Sequence, residues 1–143
     1  LHALEPFDPE VTAEALHRRL SRMNVRAIKT ALLDQSIFVG LGNIYVDETL
    51  FRAGVHPTRP AASLSYAEVE TVRQEAIAVL TEAIERGGST IRSYTNPDGA
   101  TGTFQETLYV YGQTGNPCQK CGRSIEKMKL GGRGTHYCPH CQQ

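Results

Sequence analysis

All four cysteines of the chain fall in its last 26 residues, as Cys118, Cys121, Cys138 and Cys141. Their pattern is C-x2-C, sixteen intervening residues, then C-x2-C. Each pair is a knuckle that turns two thiolates toward one ion, and two knuckles close a tetrahedral site with no open position for catalysis. Two disulfides are the competing reading, but the knuckle spacing and a reducing compartment favour one structural Zn2+ ion. So short a ribbon buries too little apolar area to fold alone, whereas structural zinc contributes on the order of 10 kcal/mol in small peptides. The tail is therefore expected to depend on metal. Within it, "SIEKMKL" and "THYC" alternate as two strands, which makes residues 131–134 the turn and puts Arg133 at its tip. With four cysteines present, His136 and His140 read as structural or surface residues rather than ligands.

The preceding residues read mostly as helix. Asp8 caps a first helix with Pro9 at its first position; Val11, Leu16 and Leu20 form its stripe, and it ends near Ser21. Asn24 caps a second, with Val25, Ile28, Leu32 and Leu33 at helical spacing, running to about Ile37. Gly40 and Gly42 break it; Asn43 opens a third helix, "IYVDETLFRA", which Gly54 closes. "HPTRPAAS" reads as a loop. Ser65 and Glu68 make a capping box for a long fourth helix that carries Val69, Val72, Val79, Leu80, Ala83 and Ile84 and stops at Gly87 and Gly88. "STIRSY" and "TLYVYG" then read as short strands around a turn-rich loop. Three regions follow: a helical domain over 1–88, a loop with connecting strands over 89–117, and the cysteine ribbon over 118–143.

The formal net charge is zero, but the charge is unevenly distributed. Four acids and no Lys or Arg lie in residues 1–16. Arg18, Arg19, Arg22, Arg26 and Lys29 then face only Asp34 in residues 17–36, and Lys120, Arg123, Lys127, Lys129 and Arg133 face only Glu126 in the tail. Two basic patches on a balanced chain provide one side able to meet a polyanion, or else two solvated faces. Lys29 on a helix and Asn43 at the next helix start, after a glycine-rich turn, form a cradle for phosphate; an ordinary tight helix connection is the alternative. Arg133 is a bidentate donor suited to phosphate, or a soluble turn residue. No apolar run is long enough for a membrane helix and no signal peptide is evident, so an intracellular protein without membrane contact is expected. The chain opens on Leu1 rather than methionine, and is expected to be part of a longer protein.

Taken together, "VGLGNIYVDETLFRAGVHP", "RGGSTIRSY", "TFQETLYVYGQTGNPCQKCG" and "IEKMKLGGRGTHYCPHCQ" closely resemble the C-terminal half of bacterial formamidopyrimidine-DNA glycosylases, in order and over essentially the whole chain. Endonuclease VIII, a relative, shares the architecture, but "GRGTHYCPHC" is more similar to the first family. The resemblance implies a mainly α fold, a helix-two-turn-helix domain followed by a small β-ribbon zinc finger. By position, Asn43 and Lys29 match residues that hold the phosphates flanking a lesion, and Asn24 occupies a junction near that backbone. Arg133 matches the zinc-finger arginine that grips the damaged strand and serves as proton donor in the elimination step. Residues 89–104 match a mobile loop that covers an everted 8-oxoguanine, with Ser89, Thr90, Arg92 and Tyr94 in it; a helix cap followed by a strand is the plainer reading. Tyr111 resembles a tyrosine that contacts the DNA backbone, with core packing as the alternative. At Gln113, where the family often has a basic residue, the chain departs from the pattern.

The family's nucleophile, an N-terminal proline amine with an adjacent glutamate and an upstream lysine, has no match in Leu1-His2-Ala3. The resemblance thus implies the DNA-binding half of a bifunctional base-excision-repair glycosylase, which removes oxidised purines (formamidopyrimidine, 8-oxoguanine) and nicks the strand by elimination. This chain alone is expected to be inactive without an N-terminal catalytic domain, and the protein to act as a monomer on damaged double-stranded DNA in the bacterial cytoplasm, at the nucleoid. A zinc-ribbon protein-interaction module, or the equivalent half of an endonuclease VIII-like glycosylase, are the alternatives. No Ser/His/Asp set or close carboxylate pair supports a self-contained enzyme.

Overall fold

A side-chain cap moves the start of one helix, and a long-range bridge moves the start of another. The structure, a computed structural model, describes residues 7–8, 12–34, 41–85 and 108–143. Helix α1 spans Ala13–Ser21 and is capped by Thr12, whose hydroxyl accepts from Ala15 N–H at 3.2 Å. Asp8 stands outside the helix, and Pro9 and Val11 lie outside the described residues. Helix α2 is only Ile28–Leu33, preceded by Ala27. Asn24 adopts a left-handed φ of 55° and Val25 is 89% exposed, so both belong to a turn rather than to the helix. Asn is among the few side chains that tolerate this conformation. The helix ends at Asp34, and residues 35–37 lie outside the described segments.

Helix α3 spans Asn43–Ala53 and stops at Gly54, which supplies the left-handed φ of 73° that a helix terminus of this kind requires. The loop "HPTRPAAS" has more structure than its composition indicates. Pro60 pairs with Ala27 in an antiparallel bridge, Ile28 N–H and Ala61 N–H donating across it at 2.7 Å each, and Ala61–Ser63 form a 3-10 turn. Helix α4 spans Tyr66–Glu85. Its capping box is reciprocal: Ser65 N–H donates to Glu68 Oε1 at 2.9 Å and Glu68 N–H to Ser65 Oγ at 3.1 Å. Arg59 grips the same carboxylate with two nitrogens, at 2.7 and 2.9 Å.

Two antiparallel strands, β1 (Glu126–Leu130) and β2 (Arg133–Tyr137), form the ribbon. Leu130 pairs with Arg133, so the turn is Gly131-Gly132 alone rather than residues 131–134. Both glycines have positive φ, 57° and 79°, the primed turn whose twist matches a hairpin. Arg133 therefore starts a strand instead of sitting on a loop tip. The expected strand "TLYVYG" is also corrected: its described residues, 108–112, are bend and turn, held by a side chain of α3. "STIRSY" lies outside the described residues.

The result is mainly helical with one two-stranded sheet. Leu16, Leu20, Ile28, Leu32, Leu50, Val69, Val72 and Ala76 are buried together between the helices. A second cluster joins Phe51 of α3 to Val110, Ile125, Cys118 and Cys138, so α3 is the element shared by helices and ribbon.

Candidate nucleic-acid interface and metal centre

The four cysteine sulfurs lie within 4.8 Å of one another. Cys118 and Cys141 Sγ are 3.8 Å apart and Cys121 and Cys138 Sγ 3.5 Å, none of them in a disulfide. A tetrahedron of Zn–S bonds of about 2.3 Å has edges of about 3.8 Å, so the set fits one zinc ion. Backbone N–H groups of Lys120, Arg123 and Cys141 point at the sulfurs of Cys118, Cys121 and Cys138 from 3.4 to 3.5 Å. The Arg123 N–H brings the Cys121 thiol down to about 7, while burial pushes Cys141 up to about 12. Four protein ligands leave no position for a substrate, and the centre is structural.

Strand β2 leaves that centre and runs against the helices at its Arg133 end. Lys29 of α2 is wholly buried and its ammonium has three partners: it donates to Thr135 Oγ1 at 2.8 Å and to Gly134 O at 3.0 Å, and forms an ion pair with Asp47 Oδ1 at 2.8 Å. Asn43, the first residue of α3, donates from Nδ2 to the same Gly134 carbonyl at 3.2 Å; its Oδ1 is buried with no hydrogen-bond partner among the described residues. Asp47 Oδ2 accepts the backbone N–H of His136 and lies 3.0 Å from its Nδ1. Burial pulls the Lys29 ammonium below its usual value and the charge of Arg133 adds to that, while Asp47 opposes both. The tip fits tightly, since a side chain at Gly131 would meet Thr30 Oγ1 of α2 at 3.4 Å.

Three of the residues singled out from the sequence thus converge: Lys29 and Asn43 meet on the carbonyl of Gly134, next in chain to Arg133. Lys29 differs from the expected exposed cation, because its three donors are all used inside the protein. Arg133 is exposed, as are Lys120, Arg123, Lys127 and Lys129 on the ribbon. Part of the first basic block is neutralised locally, by Arg18–Glu14 and Arg26–Asp34 ion pairs at 2.8 and 2.9 Å. Asn24 stands in the exposed turn between α1 and α2. The half-buried Tyr111 ring lies 4.6 Å from that of His136 and packs beside Ile44 and Ala83. Ser89, Thr90, Arg92 and Tyr94 lie outside the described residues. His136 is buried and His140 exposed; neither joins the cysteine cluster.

Two acids went unnoticed in the sequence. Asp47 is the hub described above. Glu48, beside it on α3, accepts three consecutive backbone N–H groups, Tyr109 at 2.7 Å, Val110 at 2.8 Å and Tyr111 at 2.9 Å. Burial raises its carboxyl pKa, and those three donors counter the rise. The available signal is that "IYVDETLF" is apolar on every side of a helix, so acids within it must be buried and partnered. No helix among the described residues is long and apolar enough to cross a membrane.

Comparison with known proteins gives two family matches. Residues 2–95 match the formamidopyrimidine-DNA glycosylase H2TH domain, and residues 115–143 match a zinc finger found in FPG and IleRS. A formamidopyrimidine-DNA glycosylase of an Exiguobacterium species is 84% identical over 143 residues, all of this chain and 52% of that protein. Among solved structures, the Lactococcus lactis Fpg in complex with DNA containing an abasic site superposes with a TM-score of 0.87 at 41% identity, over 99% of this chain and 52% of that one. MutM (FPG) from Thermus thermophilus does so at 0.86 and 45%, over 99% and 53%. The chain spans about half the length of the curated relatives it matches.

Proposed function

The chain belongs to the formamidopyrimidine-DNA glycosylase family that carries the H2TH helical domain, and from that premise we propose that it is the DNA-gripping half of a repair glycosylase. One observation carries the reading: the strand that starts at exposed Arg133 is fastened to α2 and to the first residue of α3 at a single carbonyl, Gly134 O. The arginine and the α3 N-terminus are thereby held as one surface. A fork of guanidinium donors, the second Nδ2–H of Asn43 and the leading amides of α3 all favour phosphate oxygens. Lys29 contributes a buried positive charge behind them and fixes their spacing. Asn24, in its exposed turn, and Tyr111 are assigned as secondary backbone contacts, and Ser89, Thr90, Arg92 and Tyr94 to the segment that covers an everted base.

In the intact enzyme, a damaged purine such as formamidopyrimidine or 8-oxoguanine is turned out of the duplex, its glycosidic bond is cut and the strand is nicked by elimination, with Arg133 as proton donor. The chemistry is assigned to the intact protein, and the 143 residues, about half the length of their relatives, supply the binding. The protein works as a monomer on the chromosome in the bacterial cytoplasm. The zinc ion holds the ribbon and takes no part in the chemistry.

The test is a salt titration of binding to duplex DNA containing an abasic site. Log affinity should fall against log salt with a slope of about 0.9 per neutralised phosphate, and Arg133→Ala should make the slope shallower by about one. A flat titration would instead favour a protein-interaction module.

A further inference from the structure

Among the described residues the Arg133 guanidinium makes no hydrogen bond or ion pair, so beyond the backbone pairing of Arg133 with Leu130 its position is set by what holds the residues that follow it. Gly134 O is taken by Lys29 and Asn43, Thr135 Oγ1 by Lys29, and His136 by Asp47 through both its backbone N–H and its ring. Thr135 Oγ1 also lies 3.2 Å from the Arg133 carbonyl, to which it donates. Asp47 is the one acid in this set, buried to 1% exposure, and its two oxygens divide the work: Oδ1 holds the Lys29 ammonium, Oδ2 holds His136. At the other end of the ribbon the cysteines set position through the metal. That centre lies beyond the Tyr137 end of β2, against Phe51 of α3, five residues from Arg133.

We infer that Asp47 is a positioning residue for Arg133: it fixes, through Lys29 and His136, where the guanidinium meets a DNA phosphate. The inference rests on the DNA-gripping reading above and adds a residue to it. It also reverses the sign that charge alone predicts. Removing an acid next to a polyanion-binding surface should strengthen binding through the long-range field, whereas loosening the seat of Arg133 should weaken it.

The experiment is a double-mutant cycle on the 143-residue chain, with binding to a duplex carrying a tetrahydrofuran abasic analogue followed by fluorescence anisotropy at several salt concentrations and zinc content measured alongside. Asp47→Asn with its zinc retained should bind about tenfold more weakly, with a salt slope shallower by up to about one. In an Arg133→Ala background the same substitution should cost less than about twofold, because the residue it acts through is gone. Unchanged or tighter binding by Asp47→Asn overturns the inference, and so does an equal loss in both backgrounds. Asp47→Asn leaves the Lys29 charge buried without its partner, which is strongly destabilising. The pair Lys29→Gln with Asp47→Asn removes that charge at constant net charge and goes through the same cycle: a loss coupled to Arg133 supports the inference, an additive loss overturns it. If wild type and Arg133→Ala bind alike, the phosphate reading itself fails and takes this inference with it; if only the coupling is missing, the phosphate reading stands and Asp47 has no part in it.

Discussion

The helices and the ribbon meet on α3 but are held together by different means. Between α1, α2, α3 and α4 the contacts are mainly apolar: Leu16, Leu20, Leu32, Leu50, Val69 and Val72 fill a buried core, an Arg52–Glu82 ion pair links α3 to α4 at its edge, and caps finish the ends. Around the ribbon, side-chain anchors and a metal centre replace most of the core. Asp47, Glu48 and Lys29 reach out from the helices to backbone groups, and four thiolates close the far end. Apolar burial is tolerant of direction, so it suits a scaffold; hydrogen bonds and metal ligands fix angle and register, so they suit a part that must present one side chain in one place.

The contrast is tested most severely by chelation. Stripping zinc removes a contribution on the order of 10 kcal/mol from the ribbon while leaving the helical core its own apolar contacts. Far-ultraviolet circular dichroism should retain most of its helical signal as amide exchange in residues 118–143 becomes fast; loss of the helices in the same step would mean the two regions fold as one unit. Next in size is Phe51→Ala, which empties the cluster shared by α3, Val110 and Ile125 and should cost about 3–5 kcal/mol in urea unfolding. It should also weaken the retention of zinc, because Cys118 and Cys138 belong to that cluster. Glu48→Gln comes third, at about 1–3 kcal/mol, since the carboxamide keeps one acceptor: with its oxygen toward Val110 and Tyr111, those two N–H groups meet a weaker, neutral acceptor and Tyr109 N–H faces an NH2 donor. Hydrogen exchange at Tyr109, Val110 and Tyr111 should rise with it while the capping box of α4 stays protected.

The smallest effect lies wholly in the helical domain. Arg59 and the Ser65 N–H hold the Glu68 carboxyl down at about 2, against an ordinary value of 4.5. The folded pKa is the lower one, so the stabilisation is present above pH 4.5 and is lost as pH falls from there toward 2. The side chain is 37% exposed and screened, which leaves about 1 kcal/mol. The unfolding free energy of wild type from urea titrations should fall by that much more than that of Glu68→Gln between pH 5 and pH 2, and parallel curves would show that the pair contributes nothing.

Local rules were legible where local chemistry decides. The knuckle spacing announces the metal centre, Ser65 with Glu68 the start of α4, and Gly54 the end of α3, because each knuckle, the capping box and the helix terminus are signals written within a few residues. Asn24 reads as a helix cap for the same reason: it has a capping side chain at a helical distance, but the bridge from Ala27 to Pro60, more than thirty residues on, fixes the chain there as a turn. Lys29 reads as a surface cation because its acceptors, Gly134 and Thr135, are over a hundred residues away. "TLYVYG" has the composition of a strand, yet its backbone donors go to a carboxylate on α3 instead of to another strand. The hairpin turn was placed two residues too wide, since alternation marks strands but only the paired positive φ values of Gly131 and Gly132 mark where they end.

The Gly134 carbonyl, which takes hydrogens from an ammonium and an amide at once, is a vibrational gauge for the joint it sits in. Two donors weaken a C=O bond more than one, so an isotope-labelled carbonyl at this glycine would absorb at a lower wavenumber than its neighbours along the strand. Its stretch would climb whenever either helix let go, giving an optical readout of the seam in solution with no dye attached.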